Sequence, residues 1–274
     1  MQTRTNNGGT EEVHVIEKQD GEVRVILSRP ECYYRDNLID KKGEQGEQEI
    51  LLKEPLEVGT KWTLPDGRRR YIADDDAEVS TPMGTYQTIQ VDTKEDGESE
   101  YTIKEYYAKE IGLVKRVYES EGMEITSTIK EIKENTAFSQ MIDLYYVDID
   151  EKLNIESVTL TFHTNDITRE IIQDAVMKIV EEKKDTLPIM SINTKIYSMY
   201  LGDDGIAYID LSKEFITDMN VGSGYESAIL QAIANTVGRY YGVQEVSLTV
   251  EQKPYESGHL LFEKGQTLEV KINL

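Results

Sequence analysis

The chain has 274 residues, with 30 Lys and Arg against 52 Asp and Glu, a net charge of −22 and a single cysteine. Phosphate recognition needs clustered cations that release counterions, so this acidic excess argues against nucleic-acid binding, and one thiol excludes an internal disulfide or a cysteine-based zinc cluster. The length suits two domains of ordinary size, and the acidic excess is shared evenly between the halves on either side of Ser139.

The opening residues 1–12, polar and glycine-containing, are expected to be a flexible tether. Residues 13–135 read as an antiparallel β domain. Short β-rich runs at 23–27, 49–52, 61–64, 86–91, 101–107, 114–118 and 125–129 alternate with the turn signals Asp20-Gly21, Pro65-Asp66-Gly67, Pro82-Met83-Gly84, Asp96-Gly97 and Glu121-Gly122. The basic triplet Arg68-Arg69-Arg70 lies beside Asp74-Asp75-Asp76 and reads as the solvated face of a hairpin. Cys32 lacks the small apolar neighbours of a lipidated cysteine and reads as a small, partly buried hydrophobe. The polar stretch 131–140 carries no strong element signal and is the expected domain boundary.

Beyond it, residues 141–274 read as an α+β domain with the order β-β-α-β-β-α-β. Strands are expected at 142–147, 158–162, 189–200, 206–209, 246–250 and 268–272. The first helix, over 166–184, carries the stripe Ile172, Ala175, Val176 and Ile179; Asp166 or Thr168 is its expected cap, and Lys183 and Lys184 complement its last turn. A short helical turn through Lys213, Glu214 and Phe215 is expected, capped by Ser212. The second long helix is expected to start at Ser223, with Glu226 at capping-box spacing, to bury one face through Ile229, Leu230, Ile233, Val237 and Tyr240 or Tyr241, and to stop at Gly242. Two helices with one apolar face each are expected to cover one side of a single sheet.

Little in the chain points to bond-making chemistry. His14, His163 and His259 stand far apart, without the spacing of a metal motif. Asp210 and Ser212 offer a carboxylate and a hydroxyl, but no nucleophile elbow accompanies them, so Ser212 reads as a helix cap. Gly222-Ser223-Gly224 lacks the lysine of a phosphate-binding loop, and the acidic turns Asp148-Ile149-Asp150 and Asp203-Asp204-Gly205 do not continue into a calcium loop. No cofactor, metal or catalytic residue is expected. Asn235 and Thr236 form a polar pair within a buried helix and require partners, either a neighbouring strand end or another subunit.

The islands GIAYIDLSKEF, GSG leading into a helix with Ala234-Asn235-Thr236-Val237, GVQEVSLTV and the pair Gly258-His259 occur in that order. Together they resemble the GerMN domain family of bacterial sporulation and germination proteins, over roughly 141–274. The ending GHLLFEKG departs from the family's usual pattern, and one such domain is found where relatives often carry two. On this resemblance the motif positions are Asp210, Ser212, Phe215, Gly222, Ser223, Asn235, Thr236, Gly258 and His259, in structural or interface roles. It implies a non-enzymatic, extracytoplasmic and often lipid-anchored protein whose domain is similar to the ring-building motifs of secretion-type assemblies.

The segments EPLEVGTKWTLPDG, TPMGTYQTIQV and EYYAKEIGLVKRVY resemble the curved-sheet half-barrels of bacterial envelope lipoproteins. Three functions follow in order of preference. The first is a scaffold or binding module working through protein partners or self-association. The second is a carrier or chaperone holding a small apolar ligand in the amino-terminal sheet. A cell-wall-modifying enzyme comes last, because no carboxylate pair stands out among the acids. No run approaches the ~20 apolar residues that span a bilayer, so membrane association is expected only through a lipoprotein signal removed from the amino terminus; a native start at Met1 would instead imply a cytoplasmic protein.

Overall fold

Alternation of apolar and polar side chains between tight turns makes the amino-terminal half β structure, because successive strand side chains point to opposite faces. The computed structural model describes residues 1–6, 9–39, 49–94, 101–183 and 185–271. They group into two units, one of Met1–Tyr33 and Asn37–Glu134, the other of Tyr34–Asp36 and Asn135–Leu274.

The first unit contains two antiparallel sheets. In one, β1 (Gln2–Asn6), β2 (Glu11–Gln19), β3 (Glu22–Arg29) and β4 (Glu49–Lys53) follow one another in chain order. In the other, β5 (Lys61–Thr63), β6 (Arg69–Thr81), β7 (Gly84–Lys94), β8 (Tyr101–Ala108), β9 (Gly112–Ser120) and β10 (Met123–Thr128) do the same. Both sheets are open, and neither closes into a barrel. The Asp20-Gly21 turn joins β2 to β3 with φ of 52° and 75°, the paired positive values that match a hairpin's twist. The Asp96-Gly97 turn lies outside the described residues.

Three expectations are corrected here. Residues 2–6, read as part of a flexible tether, pair with β2 from Gln2↔Val15 to Asn6↔Glu11, because backbone hydrogen bonds hold an edge strand even where its side chains are polar. Strand β6 runs well beyond any β-rich run in its sequence. The Arg68-Arg69-Arg70 triplet is not one solvated face: strand alternation turns Arg70 inward to 1% exposure, while Arg68 stays in the turn and pairs with Asp66 at 2.7 Å. Around Arg70 the two sheets share a core of Trp62, Leu64, Ile72 and Val91, joined by Ile50 and Leu52 of β4 and by Tyr107. The Trp62 indole donates to the Ile50 carbonyl at 2.9 Å, which ties the sheets together. Cys32 is buried.

The second unit follows the expected order. The hairpin β11 (Phe138–Val147) and β12 (Leu153–Phe162) leads into α1 (Thr168–Glu182), then β13 (Ile196–Leu201) and β14 (Ala207–Leu211). The short α2 (Glu214–Thr217) and long α3 (Ser223–Tyr241) precede β15 (Glu245–Val250), β16 (Lys253–Pro254) and β17 (Leu268–Glu269). Ile272, at the end of the expected last strand, and Lys184 lie outside the described residues. β13 is antiparallel to β14, β14 parallel to β15, and β16 and β17 pair with opposite ends of β15. The architecture is α+β with a strand-rich amino-terminal half, but the strands of the second unit form two hydrogen-bonded groups, β11–β12 and β13–β17, where one sheet was expected.

That division buries α3 more deeply than its stripe suggests. Besides Ile229, Ile233 and Val237, the helix buries Tyr225, Glu226, Ala234, Asn235 and Thr236, because β11 and β17 cover sides that one sheet would leave open. A Cβ on Gly238 would collide with Val270, so the close approach of the carboxy-terminal strand requires a glycine there. Gly242 ends the helix at φ 72°, as expected of a left-handed cap.

The expected caps differ. Gly222, without a side chain, is the cap of α3, and Glu226 is turned inward. Ile167 caps α1; Asp166 instead accepts the His163 N–H at 2.7 Å. Lys183 leaves the helix axis to pair with Glu156 at 2.6 Å. Only the end of the expected 189–200 strand is extended, as β13. Before it, Ser191 and Thr194 fold the chain into a turn, with the Thr194 N–H bonding the Ser191 carbonyl at 3.1 Å.

Residues 34–36 belong to this unit although they are remote from it in sequence. The Arg35 N–H donates to the Tyr240 hydroxyl at 2.9 Å, which in turn donates to the Arg35 carbonyl at 2.6 Å. The guanidinium reaches Thr168 Oγ1 at 2.6 Å and the His163 carbonyl at 2.9 Å, and lies over the Phe162 ring. Tyr34 packs edge-on to Tyr241.

Candidate functional site

Strand β14 ends in Asp210-Leu211 and Ser212 follows it, and the two polar side chains go to separate tasks. The buried Asp210 carboxylate accepts from Thr249 Oγ1 at 2.6 Å and from the Gln252 N–H at 2.8 Å. It thereby secures the β15–β16 turn, where Glu251 and Gln252 adopt φ of 52° and 61°. Ser212, fully buried, accepts the Lys195 N–H at 3.0 Å and fixes the approach to β13. Its hydrogen bond to Glu214 holds that carboxyl below the usual range. Ser212 is not the cap of α2, whose first turn carries no side-chain cap bond.

Phe215 follows on α2 and is buried edge-on to Tyr255, which also packs on Phe262. This aromatic cluster surrounds the carboxylate that the capping-box spacing had assigned elsewhere. Glu226 accepts the Tyr255 hydroxyl at 2.7 Å and the Ser257 hydroxyl, so the first turn of α3 grips the 255–262 loop. Ser257 in turn accepts the His259 N–H at 3.1 Å, and the His259 side chain is exposed. Gly258 has open space around it and no positive φ. Among the described residues no hydrogen bond joins Asp210, Ser212 and His259.

Asn235 and Thr236 both find partners within their own unit. Asn235 Oδ1 accepts the Lys271 N–H at 2.8 Å and Nδ2 donates to the Lys271 carbonyl at 2.9 Å, so one amide side chain imitates a strand neighbour for the end of the chain. Gln231, one turn earlier, donates to both Asn235 Oδ1 and the Glu269 carbonyl. Thr236 Oγ1 accepts the Tyr145 N–H at 2.9 Å and pins β11. Asn235→Ala is expected to lower stability by about 2 kcal/mol, since it leaves the Lys271 N–H and carbonyl without their partner and removes one of the two acceptors of Gln231. Urea unfolding of the full chain measures the loss, and hydrogen exchange is expected to accelerate at the Lys271 amide above all.

The remaining sequence candidates are also engaged. Asp148 accepts from the backbone of Asp150 and Lys152 and from Asn154, and these bonds hold its pKa down. Asp204 accepts the Ile206 N–H and the Tyr208 hydroxyl, and the latter bond pushes Tyr208 up to about 12. Beside Gly222 and Ser223, a Cβ on Gly224 would meet the Glu151 carboxylate, so an acid of the chain itself lies against the start of α3. Among the described residues no three His, Cys, Asp or Glu side chains group as metal ligands, and no helix is long and apolar enough to cross a membrane. The inner face of the second amino-terminal sheet, weighed as a cradle for an apolar ligand, is packed by Trp62, Ile72 and Val91 and contains the Arg70 charge.

The second unit is thus an α+β module whose polar motif residues brace turns, strand ends and the carboxy terminus. Residues 143–256 match the family model Germane, described as sporulation and spore germination, and the carboxy-terminal region is GerMN-like. No curated protein matches the chain. Solved structures that it resembles include a candidate lipoprotein of Clostridium perfringens, at 20% identity over 51% of this chain and 93% of that one, with a TM-score of 0.32. Another holds the tandem GerMN domains of the sporulation protein GerM from Bacillus subtilis, at 17% identity over 45% of this chain, 44% of that chain and a TM-score of 0.35. The first GerMN domain of the same protein matches at 17% identity over 48% of this chain and 98% of that one, with a TM-score of 0.34.

Proposed function

We propose that this protein is a non-enzymatic module of the bacterial cell envelope, acting outside the cytoplasm in sporulation or germination. In this reading it is held at the membrane by lipid attached to a processed amino terminus, and its GerMN-like domain assembles with other proteins or with copies of itself. The observation that carries the reading is the use of the motif's polar groups. Asp210, Ser212, Asn235 and Thr236 are all committed to bonds within the domain, which leaves its surface to do the work. The family match over 143–256 supports a setting in sporulation or germination.

The test has two arms. Sizing chromatography of the full chain with light scattering, across a concentration series and with detergent-extracted envelope proteins, is expected to show species larger than the monomer. Deleting the gene from its own host is expected to lower the yield of heat-resistant or germination-competent spores. A monomer throughout, with normal spores from the deletion strain, sinks the proposal.

A further inference from the structure

The segment 187–192 between α1 and β13 leaves an apolar surface that the fold does not cover. Two hollows, about 200 and 330 Å³, flank it and share Pro188, Ile189, Met190 and Ser191. The first is closed by Met177 and Val180 of α1, the second by Met219 and Val221 after α2. Ile192 is 79% exposed and Leu187 39%. An apolar loop of this kind would ordinarily collapse onto the core. Here it is pinned: the Asp218 carboxylate accepts Ser191 Oγ and Asn193 Nδ2, each at 2.8 Å, and Thr194 is buried beneath. Those bonds keep Asp218 ionised well into the acid range, so the pin persists at any physiological pH. The groove is therefore built in advance and not formed on contact.

Its lining also indicates what fits. Three methionines, Met177, Met190 and Met219, give a polarisable wall that adapts to differently shaped apolar side chains. The charged lining residues are Glu181 and Asp218, both acids. We propose that this methionine-lined groove is a docking site for a partner polypeptide whose amphipathic segment inserts two or three aliphatic or aromatic side chains and sets Lys or Arg against the acidic rim. A second copy of the chain is a poor occupant, because a protein of net charge −22 brings acids to acids. An anionic lipid surface is disfavoured for the same reason. The proposal rests on the assembly reading above and names the surface and the chemistry of the partner.

The experiment uses the full chain labelled with ¹³C-methyl methionine and a model amphipathic peptide, LKKLLKLLKKLLKL. The methyl signals of Met177, Met190 and Met219 are expected to shift on titration, while that of Met141, exposed on β11 of the same unit, stays in place. Ile192→Glu is expected to weaken binding about tenfold or more, as for loss of a buried aliphatic anchor; Met177→Gln serves if that variant does not fold. A peptide of the same pattern with Glu for Lys is expected to bind at least about tenfold more weakly. The proposal is overturned if the three signals do not move, if oligolysine without leucine moves them equally, or if phosphatidylglycerol vesicles alone do so. Such a failure would leave the assembly reading intact wherever light scattering still finds larger species.

Discussion

Glu105→Ala is expected to destabilise the amino-terminal unit by about 3–5 kcal/mol, the cost of stranding a buried charge. Arg70 is 1% exposed, and the Glu105 carboxylate is its buried counter-ion. Tyr107 donates to the same carboxylate at 3.0 Å, and Arg116 stands 3.6 Å from its other oxygen. Glu49 lies 3.1 Å from Arg70 but is 42% exposed, so water screens it and it cannot replace Glu105. Arg70 Nε has no hydrogen-bond partner among the described residues, so the guanidinium has no spare bond to offset the loss of Glu105. The double change Arg70→Met with Glu105→Leu is expected to recover most of the stability, since apolar groups of similar volume avoid the desolvation of both ions. Trp62, the one tryptophan, has its ring 6.0 Å from the Arg70 guanidinium, so its fluorescence during urea unfolding reports on this cluster. A loss below about 1 kcal/mol in the single variant would show that Glu49 suffices.

The carboxy-terminal unit is expected to unfold cooperatively in alkali. Burial pushes the Tyr240 phenol well above its ordinary value, and burial together with the Glu226 hydrogen bond does the same to Tyr255. The folded chain keeps both protons while an unfolded chain releases them near pH 10, so above that pH the unfolded state binds fewer protons. Stability contributed by the two phenols is complete below about pH 10 and falls by about 1.4 kcal/mol per tyrosine for each pH unit above it. The last part of the rise in tyrosinate absorbance at 295 nm, which belongs to the buried phenols, is therefore expected to coincide with loss of helical circular dichroism. Tyr240→Phe gives up the bonds to Arg35 but is expected to flatten the alkaline decline. Complete tyrosinate absorbance with the helical signal intact would refute this account.

Much of the architecture was legible because its signals are local. The stripe Ile172, Val176 and Ile179 marks α1, the left-handed Gly242 ends α3, and Asp20-Gly21 turns a hairpin, each through the conformational preference of a few neighbouring residues. Where two local signals compete, sequence spacing misleads. Ser223 and Glu226 have capping-box spacing, yet Tyr255 and Ser257, some thirty residues away, offer Glu226 a buried pair of donors that a solvent-exposed cap does not match. The apolar run before β13 reads as strand until Ser191 and Asn193 meet Asp218.

By itself the sequence determined the α+β class, the strand-rich first half, the order of elements in the second and the islands that make it GerMN-like, because periodicity, turn chemistry and short motifs act over a few residues. Tertiary structure alone decided that Arg70 is buried against Glu105, that Tyr34–Asp36 joins the second unit, that strands separate into two groups around α3, and that Asn235 holds the end of the chain. Each of these depends on partners far apart in sequence. Whether a polar group ends in water or inside is set by which donors and acceptors the fold brings to it, since an unpaired buried charge costs several kcal/mol and a paired one far less.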